Sequence, residues 1–186
     1  MSERPSETLI SVAPAATELG HLLRVAIDAE QVGATRIHLP LDQPDFVAAV
    51  AGLRRQTDLV ITTDPGHPQA DLVDRLPPDF TEVVLEGSDP AALTAEVAGL
   101  AAGGEGEICL GGRGTAAVPV LFAAIAVGAD LLVGTALSPP DPANAGGDRL
   151  RSRDDAALVA RASGLTRIAG RPAAEGRAAR ARWRIG

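Results

Sequence analysis

The sequence predicts an α/β fold, a parallel (β/α) barrel of the TIM type shortened to about six β/α units. Short runs rich in Val, Ile, Leu and Thr alternate with longer helix-like runs from one end of the chain to the other. That alternation is the pattern of a parallel sheet with right-handed crossovers. At 186 residues the chain can bury a sizeable core, yet it falls short of the roughly 250 residues of a complete eight-stranded barrel. Residues 1–186 read as one domain, with no internal repeat at a solenoid period.

The strand candidates are Thr8–Ala13, Arg36–Leu41, Leu59–Thr63, Glu82–Leu85, Glu107–Leu110 and Leu131–Gly134. Between them run helical patterns at Ala16–Val32, Pro44–Gln56, Gln69–Arg75, Pro90–Ala102 and Thr115–Val127, with Arg153–Ala169 after the last strand. Asp89 and Pro90 set a capping side chain before a first-turn proline, and Gly114 and Thr115 open the following helix. His21 falls in the first helical pattern and is expected at its surface.

Composition excludes several functions. All 17 basic residues are Arg, so there is no lysine to form an imine with a carbonyl substrate. Cys109 is the single cysteine, which rules out an internal disulfide and a cysteine metal cluster and predicts a buried, inert thiol. The net charge of −7 falls on an acidic body, while residues 171–186 carry five Arg against Glu175. An acidic body excludes nonspecific nucleic-acid binding, and an aromatic content of 2% leaves little for base stacking. The Arg-rich stretch 171–186 reads as a C-terminal helix or tail with a solvated basic face. No window reaches the roughly 18 apolar residues of a membrane span, so no membrane role is expected. The N-terminus MSERPSETLI has no signal-peptide pattern, and the expected location is the cytoplasm. The serine-elbow, phosphate-loop and dinucleotide motifs find no match.

Alternation along each strand sorts side chains between two faces. Ile37, Leu39 and Leu41 form an apolar set for the helix layer, which leaves Arg36, His38 and Pro40 facing inward. The same rule turns Thr62 and Asp64 inward near the end of the third strand, and Glu82, Val84 and Glu86 share a face of the fourth. His38, Asp64 and Glu86 are thus the candidate catalytic residues, expected to converge where parallel α/β sheets form sites. A His with two carboxylates also meets the donor rules for zinc or another divalent ion, with His38 the primary candidate ligand. Arg36, Glu82 and Glu107 lie deeper and read as a structural ion-pair cluster. Gly111, Gly112, Arg113 and Thr115 form the candidate cofactor-binding loop, where amides at a helix start and a guanidinium can hold an anion. A tight turn with a surface arginine is the alternative. His67 reads as a solvated loop residue.

The segment GATRIHLPLD, followed downstream by ICLGGRG and DLLVGT, resembles the β-keto acid cleavage enzymes, the 3-keto-5-aminohexanoate cleavage enzyme family. That family's first metal motif reads His-x-His, matched here by His38, Leu39 and Pro40. Its Arg-Val-Gly-Leu-Glu-Asp motif is matched by Leu132, Val133, Gly134, Thr135, Ala136 and Leu137. The resemblance implies a retro-Claisen reaction on a keto acid with a CoA ester, and a metal that polarises the substrate carbonyl. Proline and alanine at two ligand positions imply a rebuilt site, or else a non-catalytic binding or assembly protein. The family carries two further strand–helix units where residues 86–106 run here. A chain lacking them closes as a smaller barrel, stays an open curved sheet, or covers its edge in a homo-oligomer.

Overall fold

The computed structural model describes residues 6–40, 42–103, 106–137 and 148–185, with side chains from 155 onward in the last segment. Leu41, the end of the second strand candidate, and residues 138–147 lie outside the described residues. Six strands form one all-parallel sheet: β1 (Ile10–Val12), β2 (Arg36–Leu39), β3 (Val60–Thr63), β4 (Thr81–Leu85), β5 (Ile108–Gly112) and β6 (Asp130–Val133). The helices are α1 (Leu19–Gln31), α2 (Phe46–Gln56), α3 (Pro90–Gly103), α4 (Ala117–Val127), α5 (Asp148–Ile168) and α6 (Gly176–Trp183).

The helices begin where capping chemistry permits. The Glu18 side chain accepts from the amides of Gly20 and His21 at 2.9 and 2.8 Å, holding the open start of α1 and lowering its own pKa. From there Leu22, Val25, Ala26 and Ala29 turn one stripe of α1 onto the sheet. His21 belongs to the buried side, at 2% exposure, rather than to the surface expected from sequence. Asp89 caps α3 as read, through the amide of Ala91 at 2.9 Å.

The strand order is β3-β2-β1-β6-β5-β4, so β1 pairs with β6 and the free edges are β3 and β4. Four positions separate β2 from β4 in that order; a flat sheet would hold them about 19 Å apart. Yet the Arg36 guanidinium of β2 meets the Glu82 carboxylate of β4, so the sheet is curled strongly about its inner face. Residues 86–106 do not hold the opening, since β4 and β5 pair directly with α3 between them in sequence. The seam lies between β3 and β4 and is crossed by residues 64–80. Gln69–Arg75 is therefore no helix: prolines at 65, 68, 77 and 78 leave a short 3-10 turn at Ala70–Leu72.

Asp74 is the reason that stretch stays extended. Its carboxylate accepts from the amide of Ile61 and its own amide donates to the Ile61 carbonyl, both at 2.8 Å, so one residue occupies the place of a missing strand beside β3. Arg54 and Arg180 hold the same carboxylate at 3.5 and 3.3 Å. On the outer face, Ile10, Val12, Ile37, Leu39, Ile61, Leu110 and Leu131 pack against the helices as the alternation predicts. Below the strand starts, α6 closes the base with Ala179 and Trp183 packed on Leu9, Val60, Leu76 and Phe80. The C-terminal arginines are accordingly not a merely solvated face, because Arg180 and Arg182 are bound into that base. No helix among the described residues is long and apolar enough to cross a membrane.

Candidate functional site

The open seam forms a cleft of about 650 Å³ whose floor is Arg36, Phe80 and Glu82 and whose wall carries His38, Thr62 and Asp64. Arg36 is 1% exposed. Its Nε donates to Ser11 Oγ at 2.7 Å, its Nη2 pairs with Glu82, and its guanidinium lies 5.1 Å from the centre of the Phe80 ring. Cys109 sits behind this cluster, fully buried, its thiol pushed up to about 11 mainly by burial. The inert-thiol reading holds.

Glu107 does not join Arg36. It lies beneath β5, where Oε1 accepts from Arg182 Nε at 2.6 Å and Oε2 from the Trp183 indole. The deep trio expected from sequence is instead a pair, Arg36 with Glu82, because Arg182 and Trp183 of α6 reach Glu107 from below.

His38 faces inward as predicted. Its Nδ1 lies 3.4 Å from the Thr62 hydroxyl and its Nε2 3.7 Å from Asp64 Oδ2. Burial and the neighbouring Arg36 charge lower its pKa while Asp64 opposes them, so the imidazole is neutral near pH 7. Asp64, half exposed, sits at the mouth. Glu86 does not reach this pair. It extends into solvent on the far side of the seam and binds Arg113 at 3.3 Å. Among the described residues no group of three His, Cys, Asp or Glu side chains is arranged to hold a metal ion, whereas a catalytic zinc takes three protein ligands. The donor set therefore does not fit the family's metal.

Several groups of the loop at Gly111–Thr115 bond within the chain. The Arg113 amide donates to the Leu85 carbonyl at 2.8 Å, the Thr115 hydroxyl to the Gly87 carbonyl at 2.9 Å, and the Arg113 side chain pairs with Glu86. A side chain at Gly112 would run into the Ala116 carbonyl, and Gly111 packs against Leu132. The glycines thus serve close approach of chain to chain, the tight-turn alternative of the sequence.

After β6 the residues set against the second motif build a turn. Gly134 adopts φ 147° against the Ala13 carbonyl. The Thr135 amide and hydroxyl donate to the Asp155 carboxylate at 2.7 and 3.0 Å. This turn drives Leu137 into the inner core with Ala13, Cys109 and Leu132. Asp74, Asp155 and Ser11 are the polar residues that reading the sequence missed. Each is a single Asp or Ser whose partner lies far along the chain, and no local spacing marks it.

No protein-family profile and no curated protein match the chain. Among solved structures, it is similar to (S)-3-O-geranylgeranylglyceryl phosphate synthase from Thermoplasma acidophilum in complex with the substrate sn-glycerol-1-phosphate, at 13% identity and TM-score 0.47 over 83% of this chain and 90% of that one. A probable methylase family protein from Haemophilus influenzae Rd KW20 matches at 14% identity and TM-score 0.30, over 89% of this chain and 67% of that one. These likenesses carry no argument about ligand or reaction.

Proposed function

We propose that this chain is a shortened TIM-type barrel related to the β-keto acid cleavage enzymes, which binds a small zwitterionic keto acid at the seam and has lost the metal-dependent cleavage. The observation that carries this reading is the charge on the cleft lining. The Arg36 guanidinium at the floor is already paired with Glu82, the His38 imidazole above it is neutral, and Arg75, Asp64 and Asp71 carry the remaining charge of the lining. Asp74 is neutralised by Arg54 and Arg180, and Glu82 by Arg36. A ligand whose carboxylate meets Arg75 and whose ammonium meets Asp64 and Asp71 complements that lining. A polyanionic CoA ester meets carboxylates at the mouth, which argues against it here.

One observation favours a catalytic second reading. The neutral His38, backed by Asp64, has the form of a general base that could remove a proton next to the ligand's keto group.

The chain has three histidines, so the His38 ring-proton resonance can be assigned with a His38→Gln variant. Titration with 5-aminolevulinate is expected to shift it saturably, with levulinate weaker and Asp64→Asn removing the preference. No saturable shift at millimolar ligand sinks the binding reading, and deuterium incorporation no faster than in His38→Gln sinks the catalytic one.

The chain also self-associates on this reading. α4 carries no charged residue, and Val118 and Phe122 stand 61% and 54% exposed on it, a face on which two acidic chains can meet without repulsion. A monomeric mass by light scattering at every concentration, unchanged by Phe122→Glu, overturns this.

A further inference from the structure

We infer that α6 sets the shape of the seam cleft, with Trp183 as the positioning residue that seats residues 74–80 against the ligand, a role that rests for its ligand on the keto acid binding proposed above. Residues 74–80 cross the seam and supply Asp74, Arg75, Leu76 and Phe80 to the cleft lining. Pro77 and Pro78 deny this stretch two backbone donors, and the Phe80 amide turns back on the Pro77 carbonyl at 3.0 Å. A stretch without a ladder of its own takes its place from what it rests on.

Here the support is α6. Arg180 Nη2 reaches the Asp74 carboxylate at 3.3 Å, and Leu76 and Phe80 pack on the cluster that contains Ala179 and Trp183. The Trp183 ring meets Phe80 edge-on, with centroids 5.4 Å apart. Phe80 in turn carries the Arg36 guanidinium over its face at the cleft floor. Arg75, which meets the ligand's carboxylate, lies between Asp74 and Leu76, and α6 bears on both. The helix can act as a support because it is anchored to strands on both sides of the seam. Arg180 donates to the Leu59 carbonyl ahead of β3 at 2.9 Å, while Arg182 spans Glu107 ahead of β5 and Asp130 of β6 at 2.6 and 3.1 Å. The buried Trp183 indole donates to the other Glu107 oxygen, which fixes the plane of the ring. Asp74 is held by Ile61 and Arg54 as well, so loss of the indole frees the Leu76–Phe80 end of the stretch and not the Asp74 end.

The test compares Trp183→Leu, Trp183→Phe and Ala179→Gly in the full chain by two measurements, amide hydrogen exchange and the His38 resonance titrated with 5-aminolevulinate. In Trp183→Leu the amides of Phe80 and Thr81 are expected to exchange about tenfold faster, while those of Asp74 and of β2 keep their rates. The affinity for 5-aminolevulinate is expected to fall about three- to tenfold, the range an aromatic pair is worth. Trp183→Phe keeps a ring against Phe80 and should lie nearer the parent in both measurements. Ala179→Gly weakens the same helix but keeps the indole, and should leave the affinity within about twofold of the parent. Exchange at Phe80 and Thr81 that rises only in step with β2 overturns the positioning role, as does an effect of Ala179→Gly equal to that of Trp183→Leu. Faster local exchange with an unchanged affinity overturns the link to the cleft. If the parent gives no saturable His38 shift, the binding reading falls, and the exchange rates alone still decide whether Trp183 seats the stretch.

Discussion

Replacing Glu82 with alanine is expected to destabilise the fold by about 3 kcal/mol, at the low end of the ~3–5 kcal/mol seen when one partner of a buried pair is removed. The low end applies because Glu82 is 24% exposed while Arg36 is 1% exposed, so water screens one end of the pair and not the other. What remains for the guanidinium is a hydrogen bond to Ser11, a weak one to the Cys109 sulfur at 4.0 Å and the face of Phe80. For a chain of this length a loss of that size lowers the melting temperature by about 6–12 °C. Urea unfolding followed by circular dichroism measures the free energy, with an unchanged slope confirming that the surface exposed on unfolding is the same. Because the pair joins strands from the two halves of the curled sheet, Cys109 behind it should also react faster with a thiol reagent. Arg36→Met combined with Glu82→Leu is expected to return to within about 1 kcal/mol of the parent, since no charge is then left buried. A loss below about 1 kcal/mol in Glu82→Ala, with Cys109 still protected, would refute the claim that this pair holds the curl.

Asp74→Ala strips the amide of Ile61 of its acceptor and leaves two arginines without their carboxylate; a loss of about 1–3 kcal/mol and concentration-dependent scattering on refolding are expected, and clear refolding would count against Asp74 as the guard of β3. Gly112→Ala presses a methyl group on the backbone of Ala116 and Ala117, which cannot swing aside, and should cost at least about 1–3 kcal/mol by thermal melting. Burial raises Asp130 to about 6 from its ordinary 3.8, with Arg182 opposing. The native state then binds this proton more tightly than the unfolded chain, so Asp130 makes stability fall as pH rises from about 4 to about 6. Asp130→Asn should flatten that part of the stability curve. His38 runs the other way: its folded pKa lies below 6.5, so its contribution is lost as pH falls below 6.5, and an NMR midpoint at or above that value would contradict the burial described.

The six strands and the inward turn of Arg36, His38 and Thr62 were legible because a half-buried strand imposes a period of two on its own neighbours. The pairing of His38 with Asp64 followed from the same rule. The placement of the seam was not legible, since strand order is decided by contacts between distant segments and the stretch 69–75 has a helical pattern by itself. The flanking prolines and the capture of Ile61 by Asp74 keep it from forming that helix. Glu86 lies in phase with Glu82 along β4, so alternation alone sent it into the cleft. One residue past the strand, phase no longer binds it, and Arg113 draws it outward. Glu107 misled for a similar reason, its partners coming from α6 at the other end of the chain.

The adjacency of β1 and β6 means that the first strand made waits for the last. Ile10 pairs beside Leu131, and at ribosomal rates of about 5–20 residues per second the interval between them is ~6–24 s. Through that interval β1 to β3 can form a three-stranded sheet with one edge of β1 bare, and no later local contact shortens the wait. The vulnerable species in the life of this protein is thus the nascent chain halted between β3 and β6. Its hazard is set by translation speed and by whatever shields β1 meanwhile, rather than by the stability of the finished fold.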